Sequence, residues 1–201
     1  MASMKAIMLE ISEAELERRH RLGLDRFDEM WEGVLHLVPA PGTEHQRMKS
    51  KLWKFLDTLM EKTGRGQVAE ELNVFMEGTN GQNYRIPDIV YLAKGHEGRL
   101  STDGVHGGPD SVIEVRSPGD ETYEKRHFYA NLGVCELVVI HRDTKAPEVF
   151  RLAGAEFVGV AADREGWVTA ETLRVRFRRL ASDPVRLAVE DLDDSSQRAE
   201  I

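Results

Sequence analysis

The feature that most constrains the fold is a strand–helix–strand run in the middle of the chain. Ser111-Val112-Ile113-Glu114-Val115 reads as a short strand, broken at Pro118-Gly119. Asp120 offers an N-cap with Glu121 in the first turn, which predicts a helix to Leu132 that stops at Gly133. Leu137-Val138-Val139-Ile140 follows as a continuous apolar run, the mark of a buried strand. A helix joining two strands in this way predicts a parallel pair with a right-handed crossover. The chain is therefore expected to be a mixed α/β fold around a central sheet.

The flanking segments supply further elements. Ser12-Glu13-Ala14-Glu15 is a capping box that opens a short helix ending near Leu22, with Gly23 as its stop. Phe27 to Pro39 predicts a hairpin with Glu32-Gly33 as its turn. Thr43-Glu44-His45-Gln46 is a second capping box, and Met48, Leu52, Phe55, Leu56 and Leu59 recur at helical spacing behind it. Lys49, Lys54, Asp57 and Glu61 are expected on the opposite, polar face. Gln67 to Met76 and Tyr84 to Ala93 predict an antiparallel hairpin, and the glycine-rich stretch 95–108 a polar loop. Glu148 to Leu152 is expected to pair with Leu137–Ile140, Trp167 to Leu180 to be strand-like, and the tail 190–201 to fray. The chain is expected to be one domain, 1–201, with its core at about 24–152.

Composition bounds the function. The 41% apolar share is that of a soluble globular protein, and no apolar run approaches the roughly 20 residues of a membrane helix. With no signal-peptide pattern at the N-terminus, a cytoplasmic location is expected. A single cysteine, Cys135, excludes an internal disulfide framework and a multi-cysteine zinc site. The net charge of −8 argues against holding nucleic acid by bulk electrostatics, but leaves room for a local basic groove.

Three side chains carry the chemistry. Asp88 follows Pro87, which cannot donate to a sheet ladder and so marks an edge, strand start or bulge. Glu114 is the odd residue in an apolar strand; if the strand is central, its carboxylate must be paired or metal-bound. Alternation puts Val112, Glu114 and Arg116 on one strand face. Lys125 lies four residues after Glu121 and four before Tyr129, so it is either a helix ion pair with Glu121 or a group aimed at Glu114. Two carboxylates on adjacent strands can share Mg²⁺, which acidifies a bound water and neutralises a phosphate, while a nearby lysine stabilises growing charge. Asp110 is a candidate third carboxylate or a turn residue after Gly107-Gly108-Pro109. Arg174, Arg176 and Arg178 alternate along one strand, facing either solvent or a nucleic-acid backbone; the remaining histidines show no metal-ligand spacing.

Pro87-Asp88 followed by Glu114-x-Arg116 resembles the signature of the PD-(D/E)XK nuclease superfamily. More closely, the chain resembles the Uma-two family of restriction-endonuclease-like proteins. The matching pieces are Arg26-Phe27 to Gly33 with Glu29, His45 opening a helix, Arg85-x-Pro87-Asp88, Pro109-Asp110-x-x-x-Glu114-Val115-x-Ser117-Pro118, Lys125 with Tyr129, and Gly133-Val134-x-Glu136. The resemblance implies a restriction-endonuclease-like core, a mixed central sheet flanked by helices with an N-terminal hairpin. It implies Asp88 and Glu114 as ligands of Mg²⁺ or Mn²⁺, and Lys125 as a lysine moved from the strand to the next helix. Where the superfamily places lysine, this strand has Arg116, which stays protonated but can clamp a phosphate.

Two functions follow. One is a metal-dependent endonuclease acting on DNA, with Asp88, Glu114 and Lys125 catalytic and Arg116, His45, Tyr129 and Asp110 near the substrate. The other is a nuclease-fold binding or assembly module without turnover. A homodimer is expected from the first, because a duplex cutter often needs two sites.

Overall fold

Three β-sheets and three α-helices make up residues 6–201, the part of the chain that the computed structural model describes. In order these are β1 (Ala6–Met8), α1 (Glu13–Arg21), β2 (Glu29–Trp31), β3 (Val34–Leu37), α2 (Thr43–Thr63), β4 (Gly66–Glu70), β5 (Val74–Phe75), β6 (Tyr84–Arg85), β7 (Ile89–Ala93), β8 (Val105–His106) and β9 (Ser111–Arg116). There follow α3 (Arg126–Asn131), β10 (Glu136–His141), β11 (Pro147–Ala153), β12 (Glu156–Gly159), β13 (Val168–Ala170), β14 (Val175–Leu180), β15 (Arg186–Asp191) and β16 (Arg198–Glu200).

The central sheet has the order β12-β11-β10-β9-β7-β4, and β9 and β10 pair in parallel as the crossover predicts. It is covered on both sides, which is why its strands are apolar throughout. Ile89, Ile113, Val115, Val138 and Ile140 face α2, through Met48, Leu52, Leu56 and Leu59, and the four-stranded sheet β13-β14-β15-β16. Val90, Val112, Leu137 and Val139 face Phe128 and Tyr129 of α3, with Val74 and Val105 of the small sheet. That small sheet, order β1-β3-β2-β6-β5-β8, contains the expected hairpin β2–β3. Its turn needs left-handed backbone at two residues, Glu32 (φ 52°) and Gly33 (φ 86°), which glycine meets without strain.

Several expectations change. The hairpin spanning 67–93 forms, but splits between two sheets: β4 pairs with β7 in the central sheet and β5 with β6 in the small one. The loop 95–108 contains a 3₁₀ turn and the short strand β8, parallel to β5. The helix after Asp120 starts late. Asp120 accepts from the N–H groups of Ser117 and Thr122, and residues 121–125 turn before α3 begins. Gly42, not Thr43, is the N-cap of α2, and no side chain caps it. Lys49 is buried rather than on the polar face. The tail does not fray: Ala188, Val189 and Glu190 pair with residues 198–200, and Ile201 exchanges two backbone hydrogen bonds with Leu187. Burial of the Ile201 side chain supplies the stabilisation that its polar neighbours hide in the sequence.

Candidate active site

Asp88 lies in the bend between β6 and β7, where Pro87 has no N–H to offer a ladder. Pairing of Ile89 with Ile113 brings Asp88 opposite Glu114. The Asp88 carboxylate accepts from the Val115 N–H at 2.6 Å and lies 2.8 Å from His45 Nε2. His45 stands in the first turn of α2, with its other ring nitrogen 3.4 Å from Ser117 Oγ.

Glu114 is only 4% exposed. Its Oε1 accepts from the Tyr129 hydroxyl at 2.7 Å and lies 3.5 Å from Lys125 Nζ. Lys125 immediately precedes α3 and Tyr129 sits one turn into it, so one helix start delivers both. The nearer partner of Lys125 is Glu29 of β2, at 2.7 Å. Glu121, four residues before the lysine, presents its carboxylate to His36 Nδ1 at 3.1 Å.

The structure thus brings Asp88, Glu114, Lys125, Tyr129 and His45 together. Arg116 closes β9 on the same side as Glu114; its guanidinium rests 4.8 Å over the Tyr123 ring, and its Nε is buried without a hydrogen-bond partner. Asp110 falls outside the cluster. It precedes β9, about 13 Å along the strand from Glu114. There it accepts from the Ala93 N–H at 2.8 Å and meets His96 Nδ1 at 2.8 Å. Its carboxylate fastens the 95–110 loop, so the turn role displaces the site role. Arg174, Arg176 and Arg178 are also tied down, by Asp193, Glu190 and the Glu165 carbonyl.

Glu29 is the member of the cluster that the sequence reading did not place there. A signal existed: like Glu114, it is a carboxylate in a short strand of apolar neighbours, Met30 and Trp31. Partners from residues 86 and 125 are not visible from residue 29, because they arrive from the end of β6 and from the start of a helix, 57 and 96 residues along the chain.

The electrostatics are those of a crowded anionic pocket. Burial pushes the Glu114 carboxyl up to about 7; the nearby Asp88 and Glu29 charges add to this, and Lys125 and Tyr129 offset only part of it. Burial alone would lower Lys125, but Glu114, Glu29 and Asp88 outweigh it and hold the amine above the ordinary lysine range. Burial likewise works to lower His45, yet its bond to Asp88 and the charges of Asp88 and Glu114 leave it raised.

These donors can be tested against the cation that the resemblance implies. Three carboxylates, Glu29, Asp88 and Glu114, are enclosed with one lysine and one histidine at ion-pair distance, and the charge of Arg85 reaches Glu29 from farther off. Among the described residues no group of three or more His, Cys, Asp or Glu side chains is arranged to hold a metal. Mg²⁺ does not need one: it is commonly bound by one or two carboxylates, with water and substrate phosphate completing its shell. Asp88, in the bend before β7, and Glu114, opposite it on β9, are oxygen donors crowded by like charge, and they fit such a hard cation.

Comparison with known proteins places the chain. The Uma2 family, described as "Putative restriction endonuclease", matches residues 15–186. A crystal structure described as a putative nuclease belonging to DUF820, from Anabaena variabilis, superposes with a TM-score of 0.59. It is 18% identical and the match covers 73% of this chain and 82% of that one, a likeness of fold. No curated protein matches the sequence. Among the described residues no helix is long and apolar enough to cross a membrane. Because the family match spans most of the chain and every residue of the carboxylate–lysine cluster, the protein belongs to the Uma2 family.

Proposed function

We propose that the protein is an endonuclease that hydrolyses DNA phosphodiester bonds and depends on Mg²⁺ or Mn²⁺. The observation that carries this reading is the position of Lys125 Nζ, 3.5 Å from the buried Glu114, with Asp88 opposite in the bend before β7. Asp88 and Glu114 would hold the cation, which supplies a water of lowered pKa and neutralises phosphate charge. Lys125, kept protonated by its two carboxylates, orients that water or stabilises charge on the phosphate; it does not act as a base. Arg116, with an unsatisfied guanidinium nitrogen at the end of β9, is suited to bind a phosphate oxygen. His45 fixes one oxygen of Asp88, and Tyr129 fixes one oxygen of Glu114, so each ligand presents a defined face.

Plasmid nicking with Mg²⁺ or Mn²⁺, beside calorimetry with Mn²⁺ on wild type and Glu114→Ala, tests the reading. Cleavage and a binding heat that Glu114→Ala removes are expected. No heat from the wild-type protein sinks the enzyme. Metal binding without cleavage of any DNA points to the second reading, a nuclease-fold binding module, which the arginine in the strand lysine position favours. Cleavage of both strands further implies a homodimer, checked by gel filtration with light scattering.

A further inference from the structure

Glu29 has more partners than any other carboxylate in the cluster. It is 1% exposed, and its two oxygens accept from three donors. Oε1 takes the Ile86 N–H at 2.8 Å and Lys125 Nζ at 2.7 Å, and Oε2 takes Trp31 Nε1–H at 2.9 Å. Ile86 leads into the bend that carries Asp88, so one carboxylate touches both the lysine and the approach to the opposite ligand.

The support behind Glu29 is rigid. The His36 ring stacks on Trp31 at 4.1 Å with 11° between planes. The Arg85 guanidinium lies 4.1 Å from the Trp31 ring and 4.2 Å from that of Phe128 in α3. Arg85 also donates to the carbonyls of Met30 and Tyr84 and to Asn83, locking β2 to β6. The column His36–Trp31–Arg85–Phe128 therefore ties the small sheet to the helix whose start bears Lys125.

A lysine ammonium is a point charge on a flexible stem. Without a second anion, Lys125 would collapse onto Glu114 and cover the oxygen that is to bind the cation. We propose that Glu29 is a positioning residue: it anchors the Lys125 ammonium from the small-sheet side, leaving Glu114 its outer oxygen and directing the charge toward the phosphate. Glu29 touches neither substrate nor metal and acts through Lys125. The effect on turnover rests on the nuclease reading above; the anchoring itself does not.

The two can be separated by pairing kinetics with NMR of the full chain carrying ¹⁵N-lysine. In wild type a slowly exchanging Lys125 ammonium signal is expected, assigned by its loss in Lys125→Met. Glu29→Gln should move its chemical shift, as the amine closes onto Glu114, and lower kcat for DNA cleavage on the order of 10–100-fold, with KM little changed. In a Lys125→Met background the same change should cost nothing further, because its effect passes through the lysine. An unchanged ammonium signal in Glu29→Gln overturns the proposal, as does an equal kcat loss in both backgrounds. If Glu29→Gln fails to fold, Glu29→Asp keeps the charge but withdraws it by about 1.5 Å. It too should move the signal, and an unmoved signal overturns the proposal. If wild type cuts no DNA, the nuclease reading fails while the ammonium signal still decides the anchoring.

Discussion

A buried lysine, Lys49, and a largely enclosed one, Lys125, flank the central sheet, and a glutamate beside each, Glu71 and Glu114, is shifted in the opposite direction. Lys49 of α2 meets Glu71 and, at 3.2 Å, Glu70 at the end of β4. Lys125 meets Glu29 and Glu114. For Glu71, burial raises the pKa, but hydrogen bonds from Lys49, Gln46 and Arg26 overcome it and the carboxyl ends below its ordinary value. For Glu114, burial is larger and two further carboxylates crowd it, so a lysine and a tyrosine do not suffice and the carboxyl ends high. A lysine beside a glutamate is thus ordinary architecture. What sets the Glu114 end apart is enclosed like charge, an arrangement that one more cation would relieve.

The sharpest way to break this contrast is metal binding. Glu114→Ala should abolish the heat of Mn²⁺ binding, whereas Glu71→Ala should leave it; loss in both would erase the distinction. The lysines come next. Lys125→Met should slow cleavage on the order of 10²–10³-fold, the usual loss of one preorganised charge at a reacting phosphate. Lys49→Met should instead retain cleavage and lose about 1 kcal/mol of unfolding free energy in urea, since the half-buried Glu71 carboxylate loses one of its donors.

The pH dependence divides them further. Folded Glu114 titrates near 7 and unfolded near 4.5, so between these values the folded state holds the extra proton and stability falls as pH rises. Glu114→Gln should remove that slope from thermal melts, and Mn²⁺ affinity of the wild type should rise across the same window. Glu71 has the reverse sign: its contribution is present above the unfolded value and is lost as pH falls through the lowered one. The smallest effect is expected at Asp110. Asp110→Asn should leave metal binding and cleavage intact and lower Tm by about 2–4 °C, the cost of about 1 kcal/mol in a domain of this size.

Much of the site's framework was legible in the sequence because it depends on local rules. Pro87 marked the bend that presents Asp88, since a residue without an N–H cannot continue a ladder. Strand alternation put Glu114 and Arg116 on one side of β9, and helical spacing put Lys125 and Tyr129 together. The failures share a cause as well. Asp110 reads as either a third acid or a turn residue until the 95–110 loop folds back and supplies its donors. Lys49 reads as solvent-facing because its position among the apolar residues of α2 is tolerable only once Glu70 and Glu71 arrive from β4. The capping box at Thr43 is outcompeted by Gly42, and the polarity of the tail hides a last residue that reaches the core.

The sequence by itself determined the parallel β9–α3–β10 unit, the hairpins, and the two acids and one lysine, because periodicity, turn chemistry and proline act over a few residues. Only the tertiary structure decided which partner the lysine takes. Glu121 was the neighbour in sequence, but Glu29 of the small sheet holds the amine at 2.7 Å, from 96 residues away. The pairing was settled by burial: enclosed charges must find compensation wherever the packed sheets bring it, and that distance along the chain carries no local signal.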